Sequence, residues 1–394
     1  MKLTKLMLSA SIAALALVSC NKQDTTPQPV SNRLKTVQVS LENIVFTKGN
    51  AGNKILDNQA VAVKSFQIFL TDAAGNEYEG KNEAGTAAAK TYWDAADLAG
   101  GLPVTGAEFH YVDPNCTKVV AVANMPTVYA TYAEFKTAAA TSLEIAGQQK
   151  QDELALYAES GLTAAGTHTD FNTVDGTTYE SEVYQATLML TPRIARFEVD
   201  GFSVIFTDPL NPKYNEIKIS QLAVQNYYPK AQIISNTVDE VVVEGTPLNH
   251  IPDFSLQADV YDWLDTPETP QPWYRDYCDL TITPTDNVKD LPADGKLAYH
   301  LFACDGTVPV FVIKLTADGQ PAYLYTKKLK DGSGTEITEF KPGYIYRMSG
   351  EGEAGAGSNG TIEIPEDKID PMDRCLDITV DVMKWKVVLV TPEF

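Results

Sequence analysis

Apolar and polar side chains alternate over residues 34–48. Val37, Val39, Leu41 and Val45 share one face; Gln38, Ser40 and Glu42 take the other. A period of two predicts a half-buried strand, stopped by the turn Lys48-Gly49-Asn50. VAVKSFQIFL at 61–70 and KVVAVA at 118–123 read as further strands. Thr131-Tyr132-Ala133-Glu134 is a capping box, after which Phe135, Ala139, Leu143 and Ala146 recur at helical spacing. A second short helix fits Asp152 to Ala158. Strand patterns resume at Tyr184–Leu190 and Arg193–Phe206, with Thr191-Pro192 between them. Later candidates are Ile217–Val224, Val238–Val243, Leu280–Thr283, Leu297–Phe302, Val308–Leu315, Ala322–Lys327 and Tyr344–Met348. Short strands broken by turn residues predict a mostly β protein of sandwich type, with one or two short helices in its first half.

The carboxyl end changes phase. Leu376, Ile378, Val380 and Val382 form one apolar face opposite Asp377, Thr379 and Asp381. From Met383 the apolar set is Met383, Trp385, Val387 and Leu389, opposite Lys384 and Lys386. A side-chain period of two cannot change face within one regular strand, so the flip predicts a bulge, a bend or two separate strands. An apolar terminal strand also exposes an edge unless something covers it.

The amino terminus reads as a processing signal. Lys2 and Lys5 precede an apolar run, Leu6 to Val18. That is shorter than the roughly 20 residues a membrane-spanning helix needs, and fits a signal h-region. Leu17-Val18-Ser19-Cys20 matches a bacterial lipobox, in which the Cys20 thiol is acylated and the chain is cut before it. The mature protein is then anchored by lipid rather than threaded through the bilayer. Residues 21–32, rich in Thr, Gln, Pro and Ser, read as a tether. The expected division is 1–19 signal, 20–33 tether, 34–195 first sandwich domain and 196–394 second.

A net charge of −21 repels phosphate backbones and argues against nucleic acid as a partner. An exported chain can form disulfides. Four thiols besides Cys20, at 116, 278, 304 and 375, allow several pairings, and a Cys278–Cys304 bridge competes with free buried thiols. Catalytic signals are thin. Gly355-Ala356-Gly357-Ser358-Asn359-Gly360 fits GxGxxG but lacks the strand and helix that a dinucleotide site requires. His110, His168, His250 and His300 lack ligand-like spacing. Asp259, Asp262 and Asp265, and Glu366, Asp367, Asp370 and Asp373, read as solvated acidic faces before they read as calcium sites. Neither an enzyme nor a cofactor or metal is expected. Trp263, Trp273, Tyr274 and Tyr277 bracket the proline-rich Asp265–Pro272 loop, where aromatics pack on the fold or stack on a ligand.

Several segments carry a family resemblance: the lipobox at Cys20, the strand after the tether, CTKVVAVANMPTVYATYAEFKTAAATSL at 116–143 and MLTPRIARFEVDGF at 189–202. IKISQLAVQNYYP at 217–229, FKPGYIYRM at 340–348 and the tail LDITVDVMKWKVVLVTPEF at 376–394 extend it over most of the mature chain. In order and spacing they resemble the fimbrillins, pilin subunits of type V pili in Bacteroidota. The resemblance implies two transthyretin-like β-sandwich domains in tandem. It further implies a lipid-anchored outer-membrane precursor, carrying an acyl group such as palmitate on Cys20. Proteolysis would remove the leading strand, with Val37, Val39, Leu41 and Val45 as its plug residues. A tail from another copy would then fill the vacated groove, with Val380, Val382, Trp385, Val387 and Leu389 as donor residues. Partners would be further copies of the chain and accessory fimbrial subunits, in an extracellular, adhesive, head-to-tail fibre; the host ligand stays open. Some members are cut after an Arg beyond the first strand. Here Arg33 precedes that strand, so Lys48 and Lys54, in the loop that follows, are the candidate cut positions. A tip or anchor subunit, or a monomeric surface lipoprotein that binds glycans or host proteins through residues 263–277, are the other readings.

Overall fold

The computed structural model of the chain describes residues 34–42, 44–47, 60–99, 107–140, 143–148, 154–172, 176–234, 243–244, 275–291, 297–302, 308–331, 333–349, 361–369, 375–384 and 386–390. In the first half the strands are β1 (Lys35–Glu42), β2 (Ile44–Thr47), β3 (Ala60–Val63), β4 (Phe66–Thr71), β5 (Glu77–Tyr78), β6 (Tyr92–Trp93), β7 (Ala107–Val112), β8 (Lys118–Ala123), β9 (Leu143–Glu144), β10 (Leu156–Gly161), β11 (Thr163–Asn172), β12 (Thr177–Met189) and β13 (Thr191–Pro192). Helices α1 (Ala95–Ala99) and α2 (Tyr132–Ala140) lie among them. The second half adds β14 (Ala195–Val199), β15 (Gly201–Ile205), β16 (Ile217–Gln225), β17 (Lys230–Ala231), β18 (Val243–Glu244), β19 (Arg275–Ile282), β20 (Val288–Asp290), β21 (Leu297–Leu301), β22 (Val310–Ala317), β23 (Gln320–Asp331), β24 (Tyr344–Ser349), β25 (Thr361–Pro365), β26 (Cys375–Lys384) and β27 (Lys386–Val390).

The chain is mostly β. The first half builds a sheet ordered β11-β12-β1-β7 and another ordered β13-β10-β8-β4-β5, with β6 also on β4. Val37, Val39 and Phe109 from one sheet, and Ile68, Leu70, Val119, Ala121 and Leu156 from the other, belong to one buried core. The opposite face of β4, β8 and β10 is covered by α2: Phe69, Val120, Val122 and Tyr157 pack with Tyr132 and Phe135. Phe69 and Phe135 stack with centroids 5.4 Å apart. With both faces covered, β4 is buried along its whole length, which hides the alternation a one-sided strand would display.

The second half contains an eight-stranded sheet, β19-β16-β22-β23-β26-β24-β14-β21, and a small one, β20-β15-β25. Two three-stranded sheets mix the halves: β18-β17-β9 and β2-β27-β3. β13 lies in the sheet with β10 and β14 in the eight-stranded sheet, with Arg193-Ile194 between them. The crossing is tight. The amide of Gly343 donates to the Ile194 carbonyl at 2.9 Å. A Cβ on Gly343 would sit 2.3 Å from the Thr191 methyl, and its φ of +76° suits only glycine without strain.

Several sequence expectations are refined. Helical spacing through Ala146 ends at Ala140; Leu143 joins β9, opposite Ala231. In the capping box, Glu134 N–H donates to Thr131 Oγ1 at 3.1 Å as expected, but Glu134 Oε2 accepts from Ala130 N–H at 2.9 Å rather than from Thr131. In the stretch read as helix at Asp152–Ala158, the described residues from Leu154 run into β10, a strand between β13 and β8. Leu154, Leu156, Tyr157 and Ala158 are all buried, and a run buried on two faces has no period to read. The run 61–70 divides into β3 and β4, in different sheets. At the break, Asn124 Oδ1 accepts from Lys64 N–H at 2.7 Å. The phase flip at Met383 resolves as two strands, β26 and β27, again in different sheets.

Candidate strand-exchange site

β1 fills a slot between two strands that do not pair with each other. On one side it runs parallel to β12 in unbroken register, from Lys35 opposite Glu182 to Glu42 opposite Met189. On the other it runs antiparallel to β7, with Val37 opposite Phe109 and Val39 opposite Ala107. The core side of the slot is therefore Tyr184, Ala186 and Leu188 from β12 with Phe109 and Ala107 from β7. Val37 and Val39 are buried on it, and Leu41 is half-buried against the same core. Lys35 closes the amino end. Its Nζ donates to the Cys116 carbonyl at 3.0 Å and lies 4.4 Å from the Tyr184 ring centroid.

The polar side is bonded as well. Gln38 Nε2 donates to Glu108 Oε1 at 2.7 Å, and Gln185 Nε2 donates to Gln38 Oε1 at 3.1 Å. Thr36 lies beside Ser181, Oγ to Oγ 2.7 Å, and 3.5 Å from His110 Nδ1. Taking β1 away would leave two facing strand edges roughly 10 Å apart, the width of one missing strand, with an apolar floor.

The carboxyl-terminal strand lies next to the continuation of β1. β27 is parallel to β2 on one side, with Ile44 to Thr47 opposite Val387 to Val390. On its other side it is parallel to β3, with Lys386 to Leu389 opposite Ala60 to Val63. The second half has a counterpart. There β14 sits between a parallel β24 and an antiparallel β21, and its continuation β15 sits beside a parallel β25. β1 and β2 repeat β14 and β15, and β27 takes beside β2 the position that β25 takes beside β15. The first half is thus completed by a strand from the far end of the chain.

Of the expected donor residues, Val380 and Val382 are on β26, which is hydrogen-bonded to β23 and β24; Val380 is fully buried. Val387 and Leu389 are on β27, and Val45 is on β2. Cys20, Lys48, Lys54 and Trp385 lie outside the described residues, as do Cys304, the 355–360 glycines, Asp259 to Asp265 and Trp263 to Tyr274. Tyr277 is exposed on β19. Glu366 is buried, accepting from the amides of Thr207 and Lys213. Among the described residues no group of three His, Cys, Asp or Glu side chains is arranged to hold a metal ion.

Cys116 and Cys278 are buried free thiols. Burial pushes them up to about 11 and about 12, far from the thiolate that reacts. Both are expected to resist iodoacetamide at pH 8 in the intact chain. Cys116, whose carbonyl is held by Lys35, is expected to label first once β1 leaves. Mass spectrometry of alkylated peptides reads this directly; fast labelling of Cys116 in the uncut chain would contradict it.

No family model and no curated protein matches the sequence. Among solved structures, the chain is similar to a candidate cell adhesion protein from Parabacteroides distasonis ATCC 8503, at 14% identity and TM-score 0.47, over 93% of this chain and 100% of the other. It is similar to a fimbrilin from Porphyromonas gingivalis W83, at 12% identity and TM-score 0.46, over 90% and 99% of the two chains. A fimbrial assembly protein from Parabacteroides distasonis ATCC 8503 aligns at 11% identity and TM-score 0.37, over 82% and 92%.

Proposed function

We propose that the chain is a structural subunit of a surface fimbria. In this reading it has no catalytic role, is exported as a precursor lipidated on Cys20, and polymerises when its leading ribbon is cut away. The observation that carries this is the position of that ribbon. β1 plugs the slot between β12 and β7, while its continuation β2 pairs with β27. One cut between β2 and β3, at Lys48 or Lys54, severs the covalent link of both. The cut segment then stays only by non-covalent contacts; when it leaves, the slot empties and β27 loses one of its two neighbours together. Acceptor and donor are armed together, and neither is available before the cut.

The segment lent to the next copy is β27. Lending β26 would open the eight-stranded sheet between β23 and β24, whereas lending β27 leaves that sheet whole. Each apolar side chain fully buried on the slot floor contributes about 1.5–3 kcal/mol, against an association cost of about 4–15 kcal/mol. Ladder hydrogen bonds on both sides supply the remainder, as in other strand-addition complexes. A tail of one copy in the slot of the next makes a head-to-tail contact, which propagates as an open filament.

Amino-terminal sequencing of the subunit from assembled fibres tests the reading. The expected first residue is Gly49 or Ile55. A start at Cys20 or Leu34 would retain the plug and overturn it.

A further inference from the structure

The slot carries a polar row at its amino end that the apolar floor does not explain. Each of the four strands of the sheet contributes one residue: His168 from β11, Ser181 from β12, Thr36 from β1 and His110 from β7. The Thr36 and Ser181 hydroxyls meet at 2.7 Å, and His110 Nδ1 is 3.5 Å from Thr36 Oγ1. The two imidazoles come together over them, centroids 5.5 Å apart. Ser181 also reaches the His168 carbonyl at 3.4 Å. Thr36 is 1% exposed, Ser181 2% and His110 3%, so water does not replace these partners.

Local backbone builds the row. The β1–β7 register shifts between Lys35 and Val37, and the extra residue on β7 leaves Tyr111 at φ +56°. A non-glycine residue held in that region costs on the order of 1–3 kcal/mol and persists only where the surroundings over-determine it. Ordinary alternation puts Phe109 on the core face and His110 on the other, beside Glu108, with His110 Nε2 3.8 Å from Glu108 Oε2. Both faces are covered there, so both residues are buried.

We propose that this row is a specificity subsite that reads a hydroxyl on whichever strand occupies the slot. The proposal rests on the strand-exchange reading and adds the chemistry of the partner. That partner is a strand presenting Thr or Ser beside Ser181 and apolar residues at alternate positions beyond it; in the tail the hydroxyl is that of Thr391, next to β27, with Val390 and Val388 in the opposite phase of the alternation. A valine there matches threonine in shape but strips one buried partner from both Ser181 and His110. A site built around a hydroxyl rejects the analogue lacking it far more strongly than an apolar pocket rejects a change of size.

The test uses the full chain with a protease site placed in the loop 48–59. After cleavage, the leading segment remains held without a covalent link. It is then challenged with synthetic peptides of residues 34–47 carrying Thr36, Thr36→Ser or Thr36→Val, and displacement of a fluorescently labelled resident segment is followed. Thr and Ser peptides are expected to displace it, the Val peptide at least tenfold less well. In the Ser181→Ala chain that preference is expected to shrink to about threefold or less. Equal displacement by Thr and Val peptides overturns the subsite and leaves the slot standing. Persistence of the full preference in Ser181→Ala also overturns the subsite. No displacement by any peptide overturns the strand-exchange reading and the subsite with it.

Discussion

A chain ending at Trp385 is expected to fold as a monomer and to form no fibres. β26 ends at Lys384, so the truncation leaves the eight-stranded sheet complete, with Val380 still buried between β23 and β24. What disappears is the common partner of β2 and β3. The rest of the first half keeps its partners: β1 stays between β12 and β7, and Val61 and Val63, though β3 loses β27, still pack in the larger cluster. Negative-stain microscopy after proteolysis, with size-exclusion chromatography and near-ultraviolet circular dichroism, separates loss of assembly from loss of fold. Fibres of normal length from this truncation would remove β27 as the donor. A free peptide of residues 386–394, added to the cut full-length chain, is expected to shorten fibres by occupying slots.

The plug face of β1 was legible because one of its sides meets the core and the other meets polar neighbours. Val37, Val39 and Leu41 announce themselves by period alone. The same rule predicted a break at Met383, since no single strand can turn Val382 and Trp385 to the same face. Neighbours were not legible. Nothing in residues 34–48 says that β1 runs parallel to a strand that ends near residue 189. Nothing local to Lys386–Val390 says that its partners lie more than 300 positions earlier. Strands buried on both faces, such as β10, lose their period and imitate helix. β11 was missed because Thr, Ala and Gly dominate it without an apolar stripe. α1 was missed despite a signal: Asp94 Oδ1 accepts the amides of Ala96 and Asp97, and Asp97 Oδ2 accepts that of Asp94, a reciprocal cap spelled Asp-Ala-Ala-Asp. The hydroxyl row was invisible because its four members lie on four strands that only the pairing brings side by side.

The second large effect concerns charge buried at the start of the second half. On β14, Arg196 and Glu198 point the same way, and both are essentially unexposed. The register sets His300 of β21 opposite Arg196 and Arg347 of β24 opposite Glu198. Arg196 Nε donates to Glu198 Oε1 at 2.6 Å, and Arg347 Nη2 donates to Glu198 Oε2 at 3.0 Å. His300 Nδ1 lies 2.6 Å from the Gln148 carbonyl, which makes Nδ1 the protonated nitrogen and Nε2 the acceptor for Arg196 Nη1 at 3.1 Å. One carboxylate thus serves two guanidiniums. Glu198→Gln keeps the volume but removes the anion both cations share, with Asp200 3.9 Å from Arg347 Nε as the nearest remaining carboxylate to Arg347, a loss of about 3–5 kcal/mol for a buried pair. It is expected to lower the urea midpoint strongly, while Arg347→Lys lowers it less.

The same cluster sets an acid limit. Burial, then the Arg196 charge, lowers the His300 pKa to about 3, against about 6.5 in an unfolded chain. Between those values the unfolded state binds the proton and the folded state does not, so stability falls as pH drops through that window. At 1.36 kcal/mol per unit of pKa difference, the loss approaches on the order of 4 kcal/mol near the bottom of it. Glu198 adds to the decline only at lower pH. Burial raises its pKa, but Arg196 and Arg347 outweigh burial and hold it below the ordinary carboxylate range. Its stabilising contribution is present above the unfolded value and is lost as the carboxylate takes up a proton. Urea unfolding at pH 7, 5.5 and 4.5 separates the two groups. His300→Gln, which can still bridge Arg196 and the Gln148 carbonyl without titrating, is expected to flatten the slope across that range by up to about 1.4 kcal/mol per pH unit. Equal slopes for the two chains would mean that His300 takes up its proton without unfolding the cluster.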